Sequence, residues 1–294
     1  MKKLFLVFLF FLGCGMKEIP LAPEYLVYPG DKGIYRVDLE RTEAPTLLFE
    51  APKGVRIISP STQNGDGKVV FVGVRDSEKC PGSSIYQFDP SAMTTVVRIT
   101  DLLCGVKDTS PTFGFRGEIF FRSTFAVGKE FYSYIFKIFP GSREEFIIGT
   151  GRNPIPYLDG LLVLIGYGQE TTLDRVNIFT RATTQLSQSG EQIVNFAVLP
   201  DSRIVIAKKR GIGAFDELGI MNSDGTVYRT IFGTELKIRF DAETFTVNHD
   251  GSRLVAQINT GGKNSMILID LLQGGVVREL PHIPLWKGVA FYPG

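Results

Sequence analysis

Histidine is almost missing from this chain, with two in 294 residues. His249 sits in the turn "NHDG" and His282 between prolines in "LPHIP", and neither has a ligand partner at helical spacing, so no metal site is expected. The motifs G-x-S-x-G, H-E-x-x-H, G-x-x-x-x-G-K-[ST] and G-x-G-x-x-G are all absent, which removes the common hydrolase, metalloprotease and nucleotide-binding signatures. "NGDGK" at Asn64 is short of the carboxylates of a calcium loop and reads as a hairpin turn. No cofactor and no catalytic residue are expected. The chain also lacks excess charge of either sign: 32 Lys and Arg face 31 Asp and Glu. Nucleic-acid binding draws most of its affinity from phosphate neutralisation and is disfavoured. Beyond residue 13 there is no apolar run of the roughly 20 residues a membrane helix needs.

What is plentiful is Phe (23), Tyr (10), Gly (32) and Pro (16), a composition of short strands separated by turns. The first residues, "MKKLFLVFLFFLGCG", place Lys2 and Lys3 ahead of an apolar run that ends at Gly13–Cys14. That is the layout of a secretory signal. A small residue directly before a Cys resembles the bacterial lipobox, in which Cys14 becomes the lipidated N-terminus, although Phe11 stands where Leu is usual. An ordinary secretory signal is the other reading. The expected division is a signal peptide at 1–13, a lipidated linker at 14–23 and one domain at 24–294. Gly15 after the Cys points to an outer-membrane lipoprotein facing the periplasm. Two or three acyl chains would anchor it durably, where one would not.

A repeat runs along the domain. The segments "GIYRVDLE", "SIYQFDPS", "YIFKIFPG", "RVNIFTRA", "LGIMNSDG" and "MILIDLLQGG" align on Tyr35, Tyr86, Ile135, Val176, Ile220 and Leu268, spaced by 51, 49, 41, 44 and 48 residues. Periods of about 40 to 50 are those of propeller blades. Each unit holds four strand-like segments, A to D. "VNHDGSRLVAQI", "FAVLPDSRIVIA" and "YLDGLLVLIG" are A–B hairpins, in which Asp-Gly or its stand-ins supply the positive φ of a tight reversal. The chain ends with an A-like segment at 285–292 and starts with B-like "EYLVYPG". Their pairing would close an all-β ring of six four-stranded antiparallel blades.

The pattern "xxDG", apolar strand, "IYxxD" resembles the TolB-type six-bladed propeller, a WD-repeat-like family. Matching residues include Asp66 and Gly67, Asp159 and Gly160, Pro200 and Asp201, Asp250 and Gly251, with Tyr35 and Asp38, Tyr86 and Asp89. The resemblance covers 24–294 and implies the fold, which is shared by binding proteins and peptidases. TolB has an α/β domain before its propeller for which 15–23 leaves no room, so partnership with the Tol–Pal system is not implied.

Function is expected on the face of the B–C and D–A connections, where variable loops sit on a rigid scaffold. The B–C loops read as 75–83, 122–132, 166–174, 208–217 and 259–265. Lys129, Lys208, Arg210 and Lys263, with Tyr132 and Tyr167, are the candidate contacts; as cations and aromatics in loops they fit equally a solvated surface and core packing. Cys80 and Cys104 fall on this face and in an exported protein form a disulfide, with two free thiols the alternative. The expected function is a protein-interaction module of the envelope with an unidentified protein partner. The alternative is an enzyme or a carbohydrate- or small-ligand-binding protein with its site in the central channel.

Overall fold

The computed structural model describes residues 24–292 apart from 41–43, 63–66, 76–79, 91–95, 102, 144, 150, 167–169, 189, 210, 212, 282, 284 and 286–287. Cys14, Tyr167, Arg210 and His282 lie outside the described residues.

Blade 1 contains β1 (Tyr25–Pro29), β2 (Gly33–Asp38) and β3 (Thr46–Glu50). Blade 2 is β4 (Arg56–Thr62), β5 (Val69–Arg75), β6 (Gly82–Phe88) and β7 (Val96–Arg98). Blade 3 is β8 (Lys107–Phe113), β9 (Ile119–Val127), β10 (Glu130–Ile138) and β11 (Glu145–Gly149). Blade 4 is β12 (Gly151–Tyr157), β13 (Gly160–Ile165), β14 (Thr172–Asn177) and β15 (Thr183–Gln185). Blade 5 is β16 (Gln192–Val198), β17 (Ile204–Lys209), β18 (Glu217–Met221) and β19 (Val227–Phe232). Blade 6 is β20 (Ile238–Val247), β21 (Arg253–Thr260), β22 (Lys263–Asp270) and β23 (Gly275–Glu279). The strand β24 (Ala290–Tyr292) returns to pair antiparallel with β1, Tyr25 opposite Tyr292 and Val27 opposite Ala290, and supplies the fourth strand of blade 1. All six residues on which the repeat aligns fall in the third strand of a blade.

Burial explains why each strand reads as it does. The second strands lie between two neighbouring blades, so "VVFVG", "LLVL" and "IVIA" are apolar on both sides and wholly buried. The outermost strands face water, and β15, "TTQ", is exposed throughout. Six apolar clusters fill the six gaps between blades. Ile34, Phe49, Phe71 and Phe88 join blades 1 and 2, and Ile85, Ile119 and Phe121 join 2 and 3. Phe120, Ile147 and Leu161 join 3 and 4. Leu162, Phe196 and Ile206 join 4 and 5. Ala207, Leu254 and Ile267 join 5 and 6, while Leu26, Leu39, Val255 and Leu268 join 6 and 1.

The last of these gaps is clamped at its surface as well. Glu24 accepts from the Arg253 guanidinium at 2.9 Å and from the Asn248 amide, and Arg253 also reaches Glu40 at 2.5 Å. These contacts span more than 200 residues of chain and hold the N-terminal entry of the ring to the A–B turn of blade 6.

Candidate functional site

The six innermost strands, β24, β4, β8, β12, β16 and β20, surround a channel of about 420 Å³. That volume lies within the range of ordinary ligand cavities. The channel wall is irregular for a reason visible in the residues. Ser59–Pro60, Ser110–Pro111 and Asn153–Pro154 occupy matching places on three successive inner strands, and a proline there removes a ladder donor. Each strand slips register at that point, and Ser59, Ser110 and Asn153 take left-handed φ values of 47°, 51° and 50°. Gly288 continues the row at φ 55°, so close to Ser59 that a Cβ on it would lie 3.0 Å from the Ser59 Cα. At the three non-glycine positions such conformations cost on the order of 1–3 kcal/mol each and gather where a structure over-determines them. The Ser110 hydroxyl donates to Asn153 Oδ1 at 3.1 Å.

Two guanidinium groups line the same channel. Arg122 donates through Nε to Ser133 Oγ at 2.6 Å, and Arg152 through Nη2 to Thr171 Oγ1 at 3.3 Å. The described residues lining this cavity include no carboxylate, imidazole or thiol. Its hydroxyls, amides and guanidinium groups can hold an anion or a hydrogen-bonding solute. Neither the arginines nor the Ser-Pro row figured among the sequence candidates. The signal was present, since the X-Pro pairs recur 51 and 43 residues apart.

The face of the B–C and D–A connections differs from the sequence expectation in several places. Lys208 does not lie in a loop. It is in β17, facing blade 4, and its Nζ is 2.6 Å from Glu191 Oε1 with both side chains 6% exposed. A buried ion pair of this kind is a structural element between blades 4 and 5, so Lys208 leaves the set of contact residues. The segment 122–132 is not a loop either. β9 and β10 continue as a hairpin of two nine-residue strands reversed by Gly128 and Lys129 alone, with Glu130 opposite Val127. Likewise 259–265 is a tight reversal through Gly261 and Gly262, both at positive φ. Lys129 and Lys263 therefore sit at or beside tight turn tips. Lys263 lies 3.6 Å from Glu279, and the Tyr132 hydroxyl donates to Glu130 at 2.5 Å, a bond that raises the phenol's pKa.

The β9–β10 hairpin carries a stack of rings, with Phe125 between Tyr132 and Tyr134 at 5.9 and 5.5 Å, and Tyr134 edge-on to Phe146 at 5.4 Å. At its tip Val127 is 60% and Phe131 81% exposed. Beside it blades 2 and 3 are tied together. Cys80 and Cys104 form a disulfide across 24 residues, and Ser83 and Lys107 make a parallel bridge that joins the two blades into one sheet. Buried Asp108 accepts from Thr100 Oγ1 at 2.6 Å, yet desolvation outweighs this bond and raises its pKa above the usual 3.8.

No group of three or more His, Cys, Asp or Glu able to hold a metal occurs among the described residues, and no helix there is long and apolar enough to cross a membrane. No family model matches the chain, and no curated protein matches it. Solved structures do. TolB from Acinetobacter baumannii is 15% identical, with a TM-score of 0.68 over 93% of this chain and 67% of that one. The fold is that of a TolB-like propeller. A puromycin-hydrolyzing peptidase of Mycobacterium tuberculosis is 13% identical, TM-score 0.57, over 88% of this chain and 43% of its own. A putative TolB from Agrobacterium tumefaciens is 11% identical, TM-score 0.62, over 93% of this chain and 99% of that one. The chain thus spans less than half of the peptidase, and at these identities the likeness concerns the fold alone.

Proposed function

We propose that this chain is an exported lipoprotein whose propeller, residues 24–294, binds a partner protein in the cell envelope. On this reading 1–13 is removed, Cys14 is acylated, 14–23 is the tether, and the anchor lies in the outer membrane facing the periplasm. One observation carries the reading. The chain enters the ring at Glu24 on the A–B side, which leaves the β9–β10 hairpin, with Phe131 at its tip, displayed on the opposite side away from the tether. A large exposed aromatic on a rigid hairpin is the kind of anchor that dominates protein interfaces. TolB among the structural neighbours supports a binding role; the peptidase neighbour supports the alternative of an enzyme. A cavity lined by hydroxyls, amides and two guanidinium groups fits that alternative as a ligand-binding site.

The test is a photo-crosslinking amino acid placed at Phe131, and as a control at Val97 on the outer strand β7, in cells. The reading expects one recurrent protein adduct at 131, suppressed in a Val127→Asp background, and none at 97. Identical adduct patterns at both sites refute it. Acyl attachment is tested separately by the mass of the mature protein and its loss in Cys14→Ser.

A further inference from the structure

We infer that the A–B and C–D turns of blades 3 and 4 form an edge that rests on an anionic lipid surface. The orientation rests on the lipoprotein reading above; the residues themselves do not.

Hairpin tips are normally polar, because Gly, Asn, Asp and Ser satisfy their own backbone there. Blades 5 and 6 obey this rule with Asp201 and Ser202, Asp224 and Gly225, and Asp250 and Gly251 at three of their four tips on this face. Blades 3 and 4 have such turn residues too, among them Asp159, Ser142 and Asn177, but add an exposed apolar side chain at all four tips. Phe115 is 73% and Phe179 75% exposed, and Phe139 and Leu158 are exposed between them. Leu158 is the most telling of these. It holds φ 50° in the turn to Gly160, a conformation that Asn or Gly adopts with less strain, and it makes no core contact in return.

Each aromatic tip has an arginine close by in sequence: Arg116 after Phe115, Arg143 after Phe139 and Arg181 after Phe179, all three exposed. Among the described residues, the carboxylates beside these tips are engaged. Asp159 pairs with Arg175, Glu145 lies 2.7 Å from Lys137, and Glu118 is buried and accepts the Arg116 backbone N–H. Aromatic rings beside cations are the residues that settle at the headgroup level of a bilayer. Further round the ring, Asp224, Asp250 and Asp270 make the tips of blades 5 and 6 more acidic, while Asp201 there pairs with Arg203. An anionic surface would draw one edge down and hold the other away, so the disc tilts.

Lipid rather than a second protein is the occupant because of where the tether leaves. Glu24 lies on this same side, bound to the A–B turn of blade 6. The nine residues from 15 to 23 reach at most about 30 Å when fully extended. The face is therefore held within that distance of the bilayer to which Cys14 is attached.

The test uses the acylated protein in vesicles of phosphatidylethanolamine with phosphatidylglycerol. A fluorophore is attached at F115C, F179C, L272C or F131C, one at a time; Cys80 and Cys104 are joined to each other and the Cys14 sulfur carries the lipid. Labels at 115 and 179 are expected to be about threefold or more protected from aqueous iodide relative to 272 on blade 6 and 131 on the far face, and to be quenched by nitroxide-bearing lipid. Replacing phosphatidylglycerol by phosphatidylcholine should abolish the protection. Labels at 115 and 179 as open to iodide as that at 131 overturn the inference, as does equal protection at 115, 179 and 272. The mass of the mature protein separates this result from the anchor itself. Should it carry no acyl group, the anchor reading fails, and the edge is then judged in a C14S background by whether F115D/F179D abolishes co-sedimentation with the same vesicles; unchanged co-sedimentation overturns it.

Discussion

Removing the Glu191 charge with an isosteric Glu191→Gln substitution should destabilise the ring through Lys208. The ammonium of Lys208 is 6% exposed and its carboxylate partner is 2.6 Å away, so the variant leaves a cation in the gap between blades 4 and 5 without its counter-charge. Breaking a buried pair from one side costs roughly 3–5 kcal/mol, and the amide oxygen still accepts one hydrogen bond, which places the effect near 3 kcal/mol. For a domain of this size about 2 °C accompanies each kcal/mol, giving a fall of about 6 °C in Tm. The double variant Glu191→Gln/Lys208→Met removes the stranded charge and should recover most of the loss, since apolar replacement of a whole buried pair is near neutral. Urea and thermal unfolding at neutral pH, arranged as a double-mutant cycle, measure the coupling. A Glu191→Gln variant within about 0.5 kcal/mol of the parent would refute the buried-pair assignment and return Lys208 to the candidate binding face.

Asp108 gives a pH signature. Its folded pKa is raised by burial, so the unfolded chain releases its proton first, and the residue's contribution to stability falls as pH rises from about 4 through the raised value. Asp108→Asn should flatten that part of the stability-against-pH curve, read by thermal melts across the range; an unchanged profile contradicts it. Replacing Cys80 and Cys104 by Ser should lower stability by about 3 kcal/mol, the chain-entropy value for a loop of some 25 residues, and the loss should match that on reducing the parent protein. A melting temperature unaffected by reductant would rule the bond out as a stabilising link.

The strand order was legible because each blade repeats a physical constraint. Second strands buried on both sides must be apolar, so "VVFVG" and "IVIA" announce themselves, and Asp-Gly turns mark where they reverse. The closing segment was legible for the same reason: "LWKGVAFYPG" has a first strand's form, and β24 does lie on β1. Loop lengths were less readable. The outer half of the β9–β10 hairpin mixes rings and polar residues without a strict alternation, and Gly128–Lys129 resembles any loop, so the ladder's continuation past Arg122 is a tertiary fact. Lys208 was misplaced because "KKR" reads as solvated, whereas strand alternation turns one of its two lysines inward to a carboxylate from before β16. The channel arginines stand 30 residues apart in different blades, and no local pattern joins them.

The central structural claim is that the last strand completes the first blade. The most direct measurement is disulfide formation in Tyr25→Cys/Tyr292→Cys, two positions that face each other in the β1–β24 register. Directly opposed residues of antiparallel strands are about 4.5–5.5 Å apart at Cα, within disulfide reach. The bond should form in the folded protein and raise its unfolding free energy by about 5 kcal/mol in a reductant-reversible way, since it would close nearly the whole domain into one loop. A pair of cysteines that stays reduced in the native protein, or bonds only after unfolding, would show that the ring is not closed by these strands.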